Sequence, residues 1–191
     1  MLCVTFLKAR NSSLTGGANM ATYLQDITVD ELKAALEYNP TTGQFTRKSS
    51  GKPAGSKGSK GYVQILLNYK SYKAHRLAWL YAYGEWPDKQ VDHINLDRAD
   101  NRLSNLRLAD NSENNANNTR VRSNSGAKGV TLQSNGLYYV QIVAKQKNYY
   151  LGAYKTIEEA VAAYNAAAIT HFGQFANLSV VPSHIANSEA A

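Results

Sequence analysis

The stretch from Thr119 to Ala127, Thr-Arg-Val-Arg-Ser-Asn-Ser-Gly-Ala, most limits what this chain can fold into. Its polar, glycine- and serine-bearing composition is that of a linker. The segments on either side carry their own complete apolar patterns. Hydrophobic residues make up 43% of the 191 residues, enough for folded cores but not for one large core. Two small units are therefore expected, with the linker at 120–127 between them.

Ahead of the linker the pattern alternates between strand and helix. Asp30 to Leu36 reads as a short helix, with Thr28 or Asp30 as cap and acids in its first turn. A turn at Asn39–Gly43 leads to a strand at Gln44–Arg47. Residues 49–61, rich in Gly, Ser and Lys, read as a mobile basic loop. Tyr62–Leu67 is a strand, and a hairpin turn at Asn68–Ser71 returns it through Tyr72–Ala74. His75–Tyr83 has Leu77, Trp79, Leu80 and Tyr83 mostly at helical spacing, and Gly84 and Pro87 end the helix. Next come a strand at Gln90–Ile94, a polar loop at Asn95–Arg102, and a second strand within Leu103–Leu108. A helix capped within Asp110–Ser112 then runs to about Asn118.

Beyond the linker, three strands are expected at Lys128–Gln133, Leu137–Ala144 and Asn148–Tyr154. Thr156 caps an alanine-dominated helix running to about His171, whose small residues allow it to lie close on a sheet. Residues 1–19 are expected to be a disordered extension and 179–191 a tail. The fold class is α+β, with a first domain at 20–119 and a second at 128–178. No long-period repeat is present.

The charge is unevenly distributed. The formal net charge is +7, which favours a polyanionic partner. No Asp or Glu lies between Glu37 and Glu85, or between Glu113 and Glu158, whereas both stretches carry several Lys and Arg. Two basic flanks thus surround an acid-containing centre. Thirteen tyrosines against 4 phenylalanines suit wet surfaces, because Tyr can pack its ring and leave its hydroxyl in water. The single cysteine, Cys3, excludes an internal disulfide framework and a cysteine-rich zinc cluster. No apolar run approaches the ~20 residues needed to span a bilayer. The apolar start is cut short by Lys8 and Arg10, too early for a signal-peptide core. A cytoplasmic location and no membrane partner are expected.

The acid-containing centre holds the residues with chemistry. Asp92-His93 lies in the string Val91–Asn95, followed by Asn105 and Asn114. Hydrolysis of a phosphodiester needs an activated water and relief of charge on the phosphorus and leaving oxygens. A His can prepare the water and a divalent ion can relieve the charge. Neighbouring strand residues point to opposite faces, so Asp92 and His93 can divide these roles. Mg²⁺ prefers few protein oxygens and keeps several waters, which suits Asp92 with the amide oxygen of Asn114. Asn111, Asn115, Asn117 and Asn118 compete for the second position. Zinc ligation has too few histidines at ligand spacing, and a nucleophilic Cys or Ser has no supporting pattern. His75, His171 and His184 form no constellation in the sequence, and His75 reads as a helix-start packing residue.

His75–Trp79, Val91–Asn95, Asp100–Arg107, and Asn114 with its Asn-rich helix agree in order and spacing with one family. Over roughly residues 36–120 the chain resembles the phage-type HNH endonucleases, with their ββα-metal finger. The resemblance implies that Asp92 is a metal ligand, His93 the general base, and Asn105 the residue that braces the metal loop. It implies that Asn114 stands where the motif has its final His, as second ligand to Mg²⁺ or Mn²⁺. Asn118 is implied as a nearby contact, and Arg107 or Arg102 as a contact to the scissile phosphate.

Lys128-Gly129-Val130, Tyr139–Ile142, Tyr150-Leu151-Gly152 and Thr156–Ala160 with Ala163-Tyr164 resemble the Apetala-two/ethylene-response-factor DNA-binding domain, over roughly 126–178. That resemblance implies a three-stranded antiparallel sheet that enters the major groove, with a helix packed behind it. Matching positions give Lys128, Thr131, Gln133, Gln141, Asn148 and Tyr150 as the DNA face, with Lys145 and Lys147 on phosphates. The plant pattern has several Arg and Trp at these places and this chain does not, which weakens the case for guanine-specific contacts. The combined expectation is a metal-dependent, homing-type DNA endonuclease of phage or mobile-element kind, acting on duplex DNA as a monomer or homodimer. The alternatives are a sequence-tolerant DNA-binding protein with a degenerate nuclease centre, and a nuclease acting on RNA.

Overall fold

The structure is a computed structural model and describes residues 27–183. The extension expected at 1–19, the far end of the tail and His184 lie outside the described residues. Thr28 starts the first helix, α1 (Val29–Ala35), with a reciprocal cap: its hydroxyl accepts from Glu31 N, and the Glu31 carboxylate accepts from Thr28 N. Such a cap contributes about 1 kcal/mol. Leu36 takes extended backbone and ends the helix one residue before the expected boundary. The chain continues as β1 (Leu36–Asn39), β2 (Gln44–Arg47) and β3 (Pro53–Ala54), an antiparallel sheet in that order. A second sheet joins β4 (Ser56–Lys57), β5 (Val63–Leu67) and β6 (Lys70–Lys73), which leads into α2 (Ala74–Tyr83).

Residues 49–61 therefore differ from the mobile loop expected of them, because they contain β3 and β4. Pro53 has no N–H to donate but sits on an edge strand, where none is needed. Ala54 is buried opposite Phe45, and Gly55 at φ +105° breaks the strand so that Ser56 can pair with Gln64. Leu32, Leu36, Phe45, Ile65, Leu77 and Leu80 lie at the centre of the first core, between α1, α2 and the two sheets.

The third sheet is the hairpin of β7 (Gln90–His93) and β8 (Leu106–Ala109), followed by α3 (Asn111–Ala116). A 3-10 turn at Leu103–Asn105 takes up the first half of the stretch expected to contain the second strand, and β8 follows it. The turn after β1 packs flush on the connecting loop. A Cβ on Gly43, at φ +73°, would lie 2.4 Å from the Arg102 nitrogen. Leu103 N donates to Pro40 O and the Tyr38 hydroxyl to Asn101 O, at 3.0 and 2.7 Å. These bonds fix the loop against the first core.

Beyond Arg122, a turn at Ser123–Gly126 is folded onto the second unit rather than left as linker, with the Ser125 hydroxyl buried on Val130 O at 2.6 Å. That unit is the antiparallel sheet β9 (Val130–Leu132), β10 (Tyr138–Ala144) and β11 (Lys147–Tyr154), with β10 central, covered by α4 (Ile157–Phe172). Period-2 alternation buries Val140, Ile142 and Ala144 under α4 and exposes Tyr139, Gln141 and Val143. The sheet and helix meet so closely at Gly129 that a Cβ there would stand 2.2 Å from the Tyr164 ring. Ser179, expected in the tail, is buried and hydrogen-bonded to Asn165.

Candidate active site

Three short elements build the centre. β7 brings Asp92 and His93, β8 brings Arg107, and α3 brings the asparagines. A helix of six residues has little stability alone, so α3 depends on its ends. Asp110 caps the start in a reciprocal box with Glu113. At the other end the Lys128 ammonium donates to Ala116 O and Asn118 O, at 2.7 and 2.6 Å, on the negative pole of the helix.

The loop between β7 and β8 is held by Asn105, which is buried. Its amide nitrogen donates to Asn95 Oδ1 and Asp100 O, both at 2.9 Å, and its amide oxygen accepts from Asn95 N at 3.0 Å. Asp100 is clasped by Arg102, whose hydrogen bonds hold its carboxyl well below the usual range, at about 2. Asp100 also fixes Asn95 at 2.7 Å.

His93 is 4% exposed, with Nε2 lying 3.4 Å from Asn101 Oδ1. The Asn101 amide nitrogen donates to Ala99 O, so its oxygen faces the imidazole as an acceptor. Nε2 then carries the proton and Nδ1 keeps a lone pair. Burial pushes the His93 pKa down, against a smaller upward pull from Asn101, Asp92, Asp100 and Asp97. The imidazole is therefore neutral at pH 7, as a general base requires.

Asp92 is 7% exposed and does not stand alone. Arg107 Nε and Nη2 each lie 3.0 Å from its Oδ2, and Asn117 Nδ2 donates to the same oxygen at 3.0 Å. Asn117 Nδ2 also donates to His93 O at 3.0 Å. Arg107 is gripped from the far side by the second unit. Its Nη1 donates to Gln174 O at 2.6 Å, and its guanidinium sits 4.0 Å from the Phe175 ring centre.

Of the residues singled out in the sequence, Asp92, His93 and Asn105 come together. Asn114 sits one helical turn from Asn117 and donates to Gln90 Oε1 at 2.6 Å, while Gln90 also bonds Asn111. Asn114 and Asn117 both line the cleft above His93, and Asn117 is the asparagine against Asp92. Arg107 is turned onto Asp92 and Arg102 onto Asp100. Asn118 lines the same cleft.

Residues outside β7, β8 and α3 complete the cleft. His75, at the start of α2, is 4% exposed, with its ring edge-on to His93 at 5.0 Å. Burial first, then the charges of His93, Lys73 and Arg76, drives its pKa well below the ordinary value. Tyr62 lies 5.9 Å from His93 and carries Lys73 and Arg98 on its ring, at 4.6 and 4.9 Å. Among the described residues lining this cleft Asp92 is the one acid, facing Lys73, Arg76 and Arg98.

In the second unit, Gln133, Gln141, Asn148, Tyr150, Lys145 and Lys147 are exposed and Thr131 is half-buried. Thr131 stands opposite Tyr139, Gln141 opposite Tyr150, and Val143 opposite Asn148. Asn148 donates to Gln141 at 3.2 Å, and the Tyr139 and Tyr150 rings are 5.9 Å apart. Lys128 is not with them, since its ammonium is bound to α3. Lys145 and Lys147 flank the tip of the β10–β11 hairpin, where Lys145 N donates to Ser112 Oγ.

Among the described residues no group of three or more His, Cys, Asp and Glu could hold a metal, and no helix is long and apolar enough to cross a membrane. The centre offers oxygen donors instead. One carboxylate and neighbouring amides suit a hard divalent ion that keeps most of its water. Asp92 already holds one cation, the Arg107 guanidinium.

Residues 72–116 match the family model described as HNH endonuclease, the same stretch that carries the motif read from the sequence. No curated protein matches the chain. Among solved structures the chain is similar to one titled "DNA binding and cleavage by the HNH homing endonuclease I-HmuI", at 23% identity and a TM-score of 0.37. The similarity covers 44% of this chain and 51% of that one, so this chain spans about half the length of that protein.

Proposed function

We propose that the chain is a metal-dependent DNA endonuclease of the HNH type that hydrolyses phosphodiester bonds, with residues 20–119 cutting and 128–178 holding the duplex. The observation that carries this is His93: buried, its Nε2 3.4 Å from Asn101 Oδ1 and its pKa pushed down by burial, beside Asp92 in a cation-lined cleft. His93 Nδ1 takes a proton from water, and the water oxygen bonds to phosphorus as the bond to the 3′ oxygen breaks. That oxygen leaves with a proton from solvent, giving 5′-phosphate and 3′-hydroxyl ends. Asp92, with Asn117 or with Asn114, would hold Mg²⁺ or Mn²⁺. When bound, such an ion relieves charge on the phosphorus and leaving oxygens. Asn117 offers its amide oxygen only with the amide turned over, which exchanges its present bond to His93 O. Asn105 keeps the loop, and so the strand end, in place.

The reading extends to a homing-type enzyme of phage or mobile-element origin acting inside the cell. The exposed Gln141, Asn148 and Tyr150, with Gln133 and Thr131, form its duplex-facing sheet, and Lys145 and Lys147 meet phosphates. The rival reading, a DNA-binding protein whose nuclease centre is inactive, draws on one observation: Arg107 and Asn117 already fill Asp92 Oδ2. Supercoiled plasmid with Mg²⁺ or Mn²⁺ separates the two. The nuclease reading predicts relaxed or linear product with wild type and none with EDTA or with His93→Ala. Retained DNA binding with no metal-dependent product from wild type supports the rival.

A further inference from the structure

We propose that Arg76, with Lys73 and Arg98, forms a phosphate-binding subsite on the Tyr62 side of His93 that holds a backbone phosphate of the bound strand. The naming of its occupant rests on the nuclease reading above.

Arg76 Nη2 is screened from solvent and has no hydrogen-bond partner among the described residues. A buried guanidinium nitrogen left unpaired is costly, and an anion entering the cleft supplies the missing acceptor. His75 Nδ1, in the same cleft, is likewise buried without a partner, on a side chain that is 4% exposed. Arg107 and Arg102, the arginines that the sequence offered for this task, are each held by a carboxylate.

The neighbours are arranged for the same purpose. Tyr62 gathers the Lys73 ammonium and the Arg98 guanidinium over its ring, and Arg98 is fixed by Lys60 O at 2.9 Å. Arg76 itself is stacked 5.5 Å from the Trp86 ring centre, which orients the guanidinium without neutralising it. The Lys73 pKa is lowered, first by burial and then by the like charges of Arg76, Lys60 and Arg98. α2 also begins here, with Lys73 as its N-cap, no capping side chain and no acid in its first turn, so its positive pole adds to the field. Like charges gathered in one cleft, whose single acid Asp92 is already bonded to Arg107, fit a site completed by a polyanion.

The test is binding without chemistry. A fluorescein-labelled duplex of arbitrary sequence is titrated in EDTA over a series of KCl concentrations, with wild type, Arg76→Gln, Arg76→Lys and Lys73→Gln. Arg76→Gln is expected to weaken binding about tenfold and to reduce the slope of log K against log salt by about 0.9. Lys73→Gln reduces the slope similarly, and Arg76→Lys keeps it. Lys73 is more exposed than Arg76, so its variant carries the test even if Arg76→Gln fails to fold. Wild-type affinity and slope in both glutamine variants overturn the subsite, whether or not the protein cuts. The expected losses in a wild type that never cuts with Mg²⁺ or Mn²⁺ leave the subsite standing and overturn the nuclease reading. A wild type that binds no duplex overturns both.

Discussion

The ββα centre and the C-terminal sheet bury different things. Around β7, β8 and α3 the buried set includes Asp92, His93, Asn101, Asn105 and Asn117, each bonded to another member or to the loop between them. Under α4 the buried set includes Val130, Val140, Ile142, Ile157, Ala160, Val161 and Tyr164, and the polar residues of β10 stand outside. Burying polar groups costs stability unless every one is bonded, so a fold that collects five of them in one place is shaped by chemistry. The sheet gives up nothing of that kind. It is an apolar module with an exposed, tyrosine-bearing face. The two meet at Arg107, which binds Asp92 on one side and Gln174 O and Phe175 on the other.

That contrast is easiest to break at Arg107. Arg107→Ala leaves the Asp92 carboxylate buried without its cation and removes the link between the units. Loss of one partner of a buried pair predicts about 3 kcal/mol lower stability in urea unfolding. A loss below ~1 kcal/mol would show the pair to be solvated. In the sheet, Ile142→Ala should cost about 3 kcal/mol through the cavity alone and leave cutting per folded molecule unchanged. Asn105→Ala strands Asn95 N and Asp100 O and predicts a loss of about 2 kcal/mol. Unlike Ile142→Ala, it should lower the cutting rate of the folded fraction, since it frees the loop beside His93.

A smaller effect concerns pH. His75 is packed against His93, the Tyr62 ring and the Lys73 and Arg76 charges, and its pKa lies below its unfolded value near 6.5. The sign follows from linkage: the unfolded state binds the proton more readily. The stability from burying His75 neutral is thus present above pH ~6.5 and lost as pH falls toward its folded value. The urea midpoint of wild type should fall more steeply between pH 6.5 and 5 than that of His75→Gln. Parallel curves would show that His75 does not titrate on unfolding. The smallest expected stability change is Tyr150→Ala on the exposed face, within about 0.5 kcal/mol. Its duplex affinity should still drop if that face meets DNA.

How far the sequence could be read follows the same division. Period-2 and helical spacing located α2, α4 and the three strands of the sheet to within a few residues, because an apolar core imposes those periods. The motif residues Asp92, His93 and Asn105 were legible through their order. β3 and β4 were not, since Pro53, Gly55 and Ser56 have no strand propensity and are paired only by the register of β2 and β5. The contact of His75 with His93 was hidden because it joins two different elements across 17 intervening positions. The choice among asparagines was hidden for a related reason. Asn114, on α3, and Asn117, its C-cap, lie three positions apart, and only the position of the β7 end sets Asn117 against Asp92. Lys128 had the composition of a DNA contact, and its use at the end of α3 depends on how the two units pack.

We propose above that the buried polar region, and His93 within it, does the cutting. The direct measurement is the single-turnover cleavage rate of an end-labelled duplex with saturating protein and Mg²⁺, for wild type and His93→Ala. Duplex binding is expected to be equal, with the rate lower by roughly 10²- to 10⁴-fold in the variant, the range for loss of a general base. Equal rates in the two proteins would contradict that proposal.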